Sequence, residues 1–190
     1  MARFLKDRSK KIGAAPGAPV FVGKQKVERP IIHLMDYTRA EIQEAHYEDA
    51  ESLEGLVDTE THSWINVYGL HDTELIQKIG KQFGLHNLLI EDVLNTGQRP
   101  TFIDYDDYFF IAVKMLKYDP EKDYVHSEQL SIVVGKNYLL TFQEVKGDVF
   151  TSIRDRLRKE SVPDKHVVAG LRLLASDEGV SNIGISLDEE

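Results

Sequence analysis

Three short apolar runs limit the fold more than any other feature of the chain. FIDYDDYFFIAVKML (102–116), EQLSIVVG (128–135) and NYLLTFQE (137–144) are rich in β-branched and aromatic residues, and Gly135-Lys136-Asn137 joins the last two. Runs of this kind read as strands, and a gap this short reads as a hairpin turn. The DYDD cluster at 104–107 then falls between strand-like runs and reads as a solvated turn. It lacks the EF-hand pattern that a Ca²⁺ loop would require.

Upstream, PIIHLMDY reads as a strand with Pro30 tolerated at its start. Between Glu41 and Glu60 there are eight acids and no Lys or Arg. Within that stretch EIQEAHY reads as an edge strand and DAESLEGLV as a short helix begun by Asp49. SWINVYGL reads as a buried strand. HDTELIQKIGKQFGL carries Leu75, Ile76, Ile79 and Phe83 at helical spacing, with Asp72 or Thr73 as N-cap and Gly84 placed to end the helix. DVFTSIRDRLRKE reads as a helix with Asp148 near its start and Arg156, Arg158 and Lys159 near its end, the polarity that the helix dipole favours. Its apolar side is read as Val149, Ile153 and Leu157. This order of elements predicts an α/β sandwich with a partly antiparallel sheet. The expected divisions are a basic disordered leader over 1–29, an α/β domain over 30–160, and a tail over 161–190. In the tail VVAGLRLLA could be helical, while the acidic ending reads as loop.

Charge is unevenly divided. Residues 1–30 hold eight Lys and Arg against two acids, whereas the remainder holds fifteen against thirty, for a net charge of −9. An acidic body is a poor surface for nucleic acid and a better one for cations. No apolar run is long enough to span a bilayer, because Lys114 interrupts the greasiest one. The N-terminus has charges but no apolar stretch of the kind a signal peptide needs. Cysteine is absent, which excludes disulfides and thiolate metal sites.

The segment FGLHNLLIEDVLNTGQRP (83–100) reads as a helix that places two acids, Glu91 and Asp92, inside an apolar run. On a helical wheel of about 100° per residue, Leu88, Leu89 and Val93 mark an arc. Asp92 falls inside that arc and Glu91 just beyond its Leu88 edge. A buried, unpartnered carboxylate costs several kcal/mol, so this placement needs a resolution. Arg99 could pair with Asp92, the TGQRP turn could supply backbone donors, or both acids could share a divalent cation with carboxylates of a neighbouring protein. Hard ions such as Mg²⁺ and Ca²⁺ prefer oxygen ligands of this kind.

Other chemical signals are weak. GKQFG at 80–84 is no phosphate loop: Leu75 stands where the leading glycine would be, and no Ser or Thr follows Lys81. The histidines show no paired metal-ligand spacing, and no GxSxG elbow occurs. Metal-dependent hydrolysis through His86, Glu91 and Asp92 is disfavoured, because His86 is not at an i, i+3 or i, i+4 step from either acid. No catalytic set assembles, and the chain is not expected to be an enzyme.

WINVYGLHD, IGKQFGLHNLLIEDVLNTGQRP, FFIAVKML, EQLSIVVGKNYLLTFQE and GDVFTSIRDRLR follow one another as in the cytoplasmic N-terminal domain of CorA-type magnesium transporters. The chain resembles that family from about Ser63 to Arg158, and more loosely back to Pro30. The resemblance implies an α/β/α sandwich with a mixed, partly antiparallel sheet at the cytoplasmic face of the cell membrane. It also implies a homopentameric Mg²⁺ channel, passing Co²⁺ or Ni²⁺ as well, whose regulatory cation binds weakly between adjacent domains. Asp92 occupies the position of a ligand of that regulatory site, and Glu91 lies close to a second. A soluble sensing domain of a divalent-cation channel is the expected function. A ZntB-like zinc transporter domain and a binding module of the same fold without transport are the alternatives.

The chain departs from the family pattern in several places. The Gly-Met-Asn pore signature is missing, since Met35 is followed by Asp and Met115 by Leu. Asn87 stands where proline is usual and Thr101 where lysine is usual, and the family's long helix is not recognisable after Ser161. A soluble fragment or relative, reaching a membrane only through segments outside this sequence, is therefore expected.

Overall fold

The structure is a computed structural model that describes residue 13, residues 15–38 and residues 40–159. The elements in chain order are β1 (Ile31–Tyr37), β2 (Ile42–Tyr47), β3 (His62–Tyr68), α1 (Thr73–Gln82), α2 (Asn87–Leu94), β4 (Thr101–Asp104), β5 (Phe109–Asp119), β6 (Tyr124–Val134), β7 (Tyr138–Gln143) and α3 (Thr151–Arg158). The expected tail over 161–190 lies outside the described residues.

All seven strands form one sheet in the order β2-β1-β3-β7-β6-β5-β4. β3 and β7 run parallel, and the other neighbouring pairs are antiparallel. The predicted hairpin at Gly135–Asn137 is present, closed by Gly135 N–H donating to Tyr138 O at 3.0 Å. β6 starts four residues earlier than EQLSIVVG suggests. It pairs with β5 as far as Asp119↔Tyr124, and this arm leaves Leu116, Tyr118, Tyr124 and Val125 exposed.

Alternation along the strands divides the core between the two faces of the sheet. Ile32, Ile65, Val67, Phe110, Leu140 and Phe142 face α1 and α2, where Ile76, Ile79, Leu89 and Val93 meet them. Met35, Trp64, Leu130, Ile132 and Leu139 point to the opposite face, where Phe150 and Leu157 bring in α3. Burying each such side chain contributes about 1.5–3 kcal/mol. Both faces are therefore covered, and the fold is an α/β/α sandwich on a mixed sheet. All six residues of β7 are buried, as a central strand between two helical layers requires.

Local chemistry sets the helix ends. Asp72 Oδ1 accepts from Leu75 N–H at 3.0 Å and caps α1, and Gly84 follows its end with φ of +63°. At Gly80, a methyl group would meet Ile90 Cδ1 at 2.5 Å. The missing side chain is what allows α2 to lie against α1.

Three expectations are corrected. The short helix at DAESLEGLV is two single turns of 3₁₀ helix, Glu51–Leu53 and Leu56–Asp58, interrupted at Gly55. Asp49 does start the first, with Oδ1 accepting from Ser52 N–H at 2.9 Å. Val149 lies outside α3 and is exposed, whereas Ile153 and Leu157 do pack towards the core, joined by Arg154 within the helix and by Phe150 just before it. Finally, Val22 belongs to the segment read as a disordered leader, yet it is 1% exposed. It bridges to Asn95 in parallel, its N–H donating to Leu94 O at 2.9 Å. Basic composition masked the Pro19-Val20-Phe21-Val22 run, which supplies enough apolar surface to dock.

Candidate metal centre

The segment carrying Glu91 and Asp92 is helical as expected, and its ends are fixed by specific groups. His86 caps α2, its Nδ1 accepting from Leu88 N–H at 3.2 Å, while its own N–H donates to Tyr108 OH at 2.9 Å. At the other end Asn95 N–H donates to the carbonyls of Glu91 and Asp92 at 3.1 and 3.2 Å. Thr96 donates from both N–H and Oγ1 to Val22 O, at 3.0 and 2.8 Å.

The rotation of α2 differs from the wheel reading. Leu89, Ile90, Val93 and Leu94 are buried, whereas Leu88 is 45% exposed. The buried arc is therefore centred between Val93 and Ile90, against α1 and the sheet, and both acids fall on the outward side with Leu88. Glu91 and Asp92 are each half-buried. Asp92 does not share the core-facing arc, so its position does not force a buried carboxylate. What the structure presents is an exposed leucine flanked by two acids on an outward helix face. The wheel misled because Ile90 and Leu94 pack beside their neighbours, widening and turning the apolar stripe.

Each acid has identifiable surroundings. Glu91 Oε2 accepts from Gly17 N–H at 2.7 Å, so the N-terminal segment runs past the helix and holds this carboxylate. The Asp92 carbonyl also accepts from Gln129 Nε2 at 3.2 Å. The Tyr105 phenol is pushed above its ordinary value by burial first, then by Tyr108 and by the Asp92 charge, so that charge reaches the Tyr105 ring. Tyr105 in turn stacks on Tyr108 and His86, with centroids 5.0 and 5.8 Å apart. Arg99, the proposed intramolecular partner, is exposed. The acids at 104, 106 and 107 are exposed in a turn where Asp106 N–H donates to Asp104 Oδ1 at 3.1 Å, in keeping with the solvated reading.

Sequence reasoning did not assign Gly17, Tyr105, Lys114 or Gln129 to this region. Lys114 Nζ donates to Thr96 O at 2.9 Å and to Gln129 Oε1 at 3.0 Å, and Gln129 is 1% exposed. A lysine and a glutamine inside two apolar strands were the available signal. Among the described residues, no group of three or more His, Cys, Asp or Glu is arranged to hold a metal ion. Two carboxylates on an outward face suit a hard cation that keeps several waters, but they are an incomplete ligand set.

A family model of the CorA-like Mg²⁺ transporter protein matches residues 59–183. The chain belongs to the CorA-like family. It is 40% identical over 153 residues to the cobalt/magnesium transport protein CorA of Thermotoga maritima, covering 80% of this chain and 43% of that protein. It is 31% identical over 94 residues to a putative metal ion transporter, YfjQ, of Bacillus subtilis, covering 50% of this chain and 28% of that one. The chain thus spans less than half the length of these curated relatives. Among solved structures, full-length CmaX shares the fold at TM-score 0.60 and 14% identity, covering 83% of this chain and 49% of that one. The ZntB cytoplasmic domain of Vibrio parahaemolyticus does so at 0.59 and 17%, covering 82% and 59%. The CorA magnesium transporter of Methanocaldococcus jannaschii matches at 0.53 and 20%, covering 83% and 45%. Among the described residues of this CorA-like chain, no helix is long and apolar enough to cross a membrane.

Proposed function

We propose that this chain is the divalent-cation-sensing domain of a CorA-like transport protein. In this reading Asp92, with Glu91 beside it, contributes oxygen ligands to a Mg²⁺ site that a second copy completes. The observation that carries it is the outward face of α2, where both acids flank exposed Leu88 while the opposite face is core. Exposed Leu88 and the two acids beside it leave this face open to a second copy of the chain. Family membership and the relative's name, a cobalt/magnesium transport protein, favour Mg²⁺ or Co²⁺ as the ion.

The chemistry follows from charge. Carboxylates of adjacent copies repel one another, and a shared dication removes that repulsion and favours the associated arrangement. The full-length protein is read as a homopentamer that reaches the membrane through segments beyond those described. A ligand that binds one state stabilises it by RT ln(1 + [L]/Kd), which is about 1.4 kcal/mol at ten times Kd. Sensing then requires a Kd near the ambient ion concentration, of order millimolar for an ion as reluctant to dehydrate as Mg²⁺.

Thermal melting of the chain across a MgCl₂ series tests this. The melting temperature should rise with Mg²⁺ or Co²⁺ in the wild type, and Asp92→Ala should remove most of the rise. Equal responses in the two proteins would refute the assignment of Asp92. A response to Zn²⁺ but not to Mg²⁺ would favour a zinc-transporting relative.

A further inference from the structure

We propose that Lys114 is a built-in counter-charge that keeps the divalent-cation affinity of the Glu91–Asp92 pair low. This rests on the cation-sensing reading of those acids and adds to it the residue that sets their working range.

Lys114 breaks the most apolar run of the chain, and the structure shows where its charge goes. Its side chain leaves β5 on the α2 side of the sheet and is half-buried there. The ammonium donates to Thr96 O at 2.9 Å, just past the C-terminus of α2, and to Gln129 Oε1 at 3.0 Å. Gln129 passes the contact on, its Nε2 donating to the Asp92 carbonyl at 3.2 Å and to Ser131 Oγ at 3.3 Å. The positive charge is therefore two hydrogen bonds from the backbone of Asp92. It is also anchored at the negative end of the helix dipole, where a cation is favoured.

Gln129 is 1% exposed, so one of the two acceptors that hold the ammonium is fixed in the core, unlike the surroundings of a surface lysine. A fixed positive charge within about a Debye length of a site acts on a dication with twice the force it exerts on a monovalent ion. The acids alone would attract Mg²⁺ more strongly, and Lys114 offsets part of that attraction. A sensor that must release its ion when the concentration falls needs such an offset.

A merely structural strut makes the opposite prediction. If Lys114 only ties α2 to the sheet, its loss should loosen the helix that carries Asp92 and weaken cation binding or leave it unchanged. If Lys114 is the counter-charge, its loss should strengthen binding even while the metal-free protein becomes less stable.

The test is MgCl₂ titration of the full chain, read by thermal melting and by the half-saturating Mg²⁺ concentration. Lys114→Met should lower that concentration about threefold to tenfold at low salt, and by less in high NaCl. Lys114→Arg keeps the charge and should stay near the wild-type value. If Lys114→Met shows no cooperative melt, Gln129→Glu serves instead, because it sets a carboxylate against the ammonium and should also lower the half-saturating concentration. An unchanged or raised concentration in the neutralised variant overturns the proposal while leaving the sensing reading intact. Absence of any Mg²⁺ response in the wild type overturns the sensing reading, and with it this one.

Discussion

The ion pair between Asp148 and Arg154 gives the sharpest stability prediction. Arg154 lies on the buried side of α3, and the two side chains are 9% and 1% exposed. Arg154 Nη1 donates to Asp148 Oδ1 at 2.7 Å, and its other terminal nitrogen donates to Asp148 Oδ2. That second nitrogen also donates to Asn66 Oδ1 at 3.1 Å and Tyr68 OH at 3.3 Å, while the guanidinium sits 4.9 Å over the Trp64 ring. Arg154→Met strands a buried carboxylate, and removing one partner of such a pair costs about 3–5 kcal/mol. That is a large share of a domain stability of about 5–15 kcal/mol. Asp148→Asn strands the guanidinium but keeps Oδ1, which accepts from Phe150 N–H at 3.0 Å just ahead of α3. The double variant leaves no unpaired charge, so it should lose less than the sum of the single variants by about 2 kcal/mol or more. Urea unfolding followed by tryptophan fluorescence reads this directly, since Trp64 lies beneath the pair. Single losses below about 1 kcal/mol, or strict additivity in the double variant, would refute the reasoning.

Two further outcomes are expected. Gly80→Ala should lower the melting temperature despite alanine's better helix propensity, because its methyl meets Ile90 Cδ1, and Ile90→Val should restore part of the loss in the double variant. The pH dependence should follow His33, which burial holds below its ordinary value against the opposing pull of its Glu44 hydrogen bond. The unfolded chain then takes up that proton first, so stability falls as pH drops through the ordinary histidine range. Arg158 pulls the Glu44 carboxyl down to about 2, so its contribution is complete above the ordinary carboxylate range and is lost progressively as pH falls from that range to about 2. The urea midpoint should therefore decline between pH 7 and 5 in the wild type, and His33→Gln should flatten that decline.

Local signals carried the fold well. The cap at Asp72, the stop at Gly84, the turn at Gly135 and the alternation along β5, β6 and β7 each depend on neighbours within a few residues. The parallel pairing of β3 with β7 depends on residues more than seventy apart, and no local pattern encodes it. The same limit explains Arg154. A basic residue in an exposed-looking helix reads as solvent-facing until Asp148, Asn66 and Trp64 are brought around it. At the candidate site the two acids were legible as chemistry. Their orientation was not, because the packing of Ile90 against Gly80 turns the helix by more than a wheel can show. Lys114 was visible as an interruption in an apolar strand, but its meeting with Gln129 and the end of α2 required the sheet register.

The central claim is that Asp92 and a second copy of the chain hold a divalent cation jointly. Sedimentation velocity of the wild type and Asp92→Ala across rising MgCl₂ tests it most directly. The wild type should shift to larger species as Mg²⁺ rises through the millimolar range, while Asp92→Ala stays at its metal-free size. Identical sedimentation of the two proteins at every Mg²⁺ concentration would contradict it.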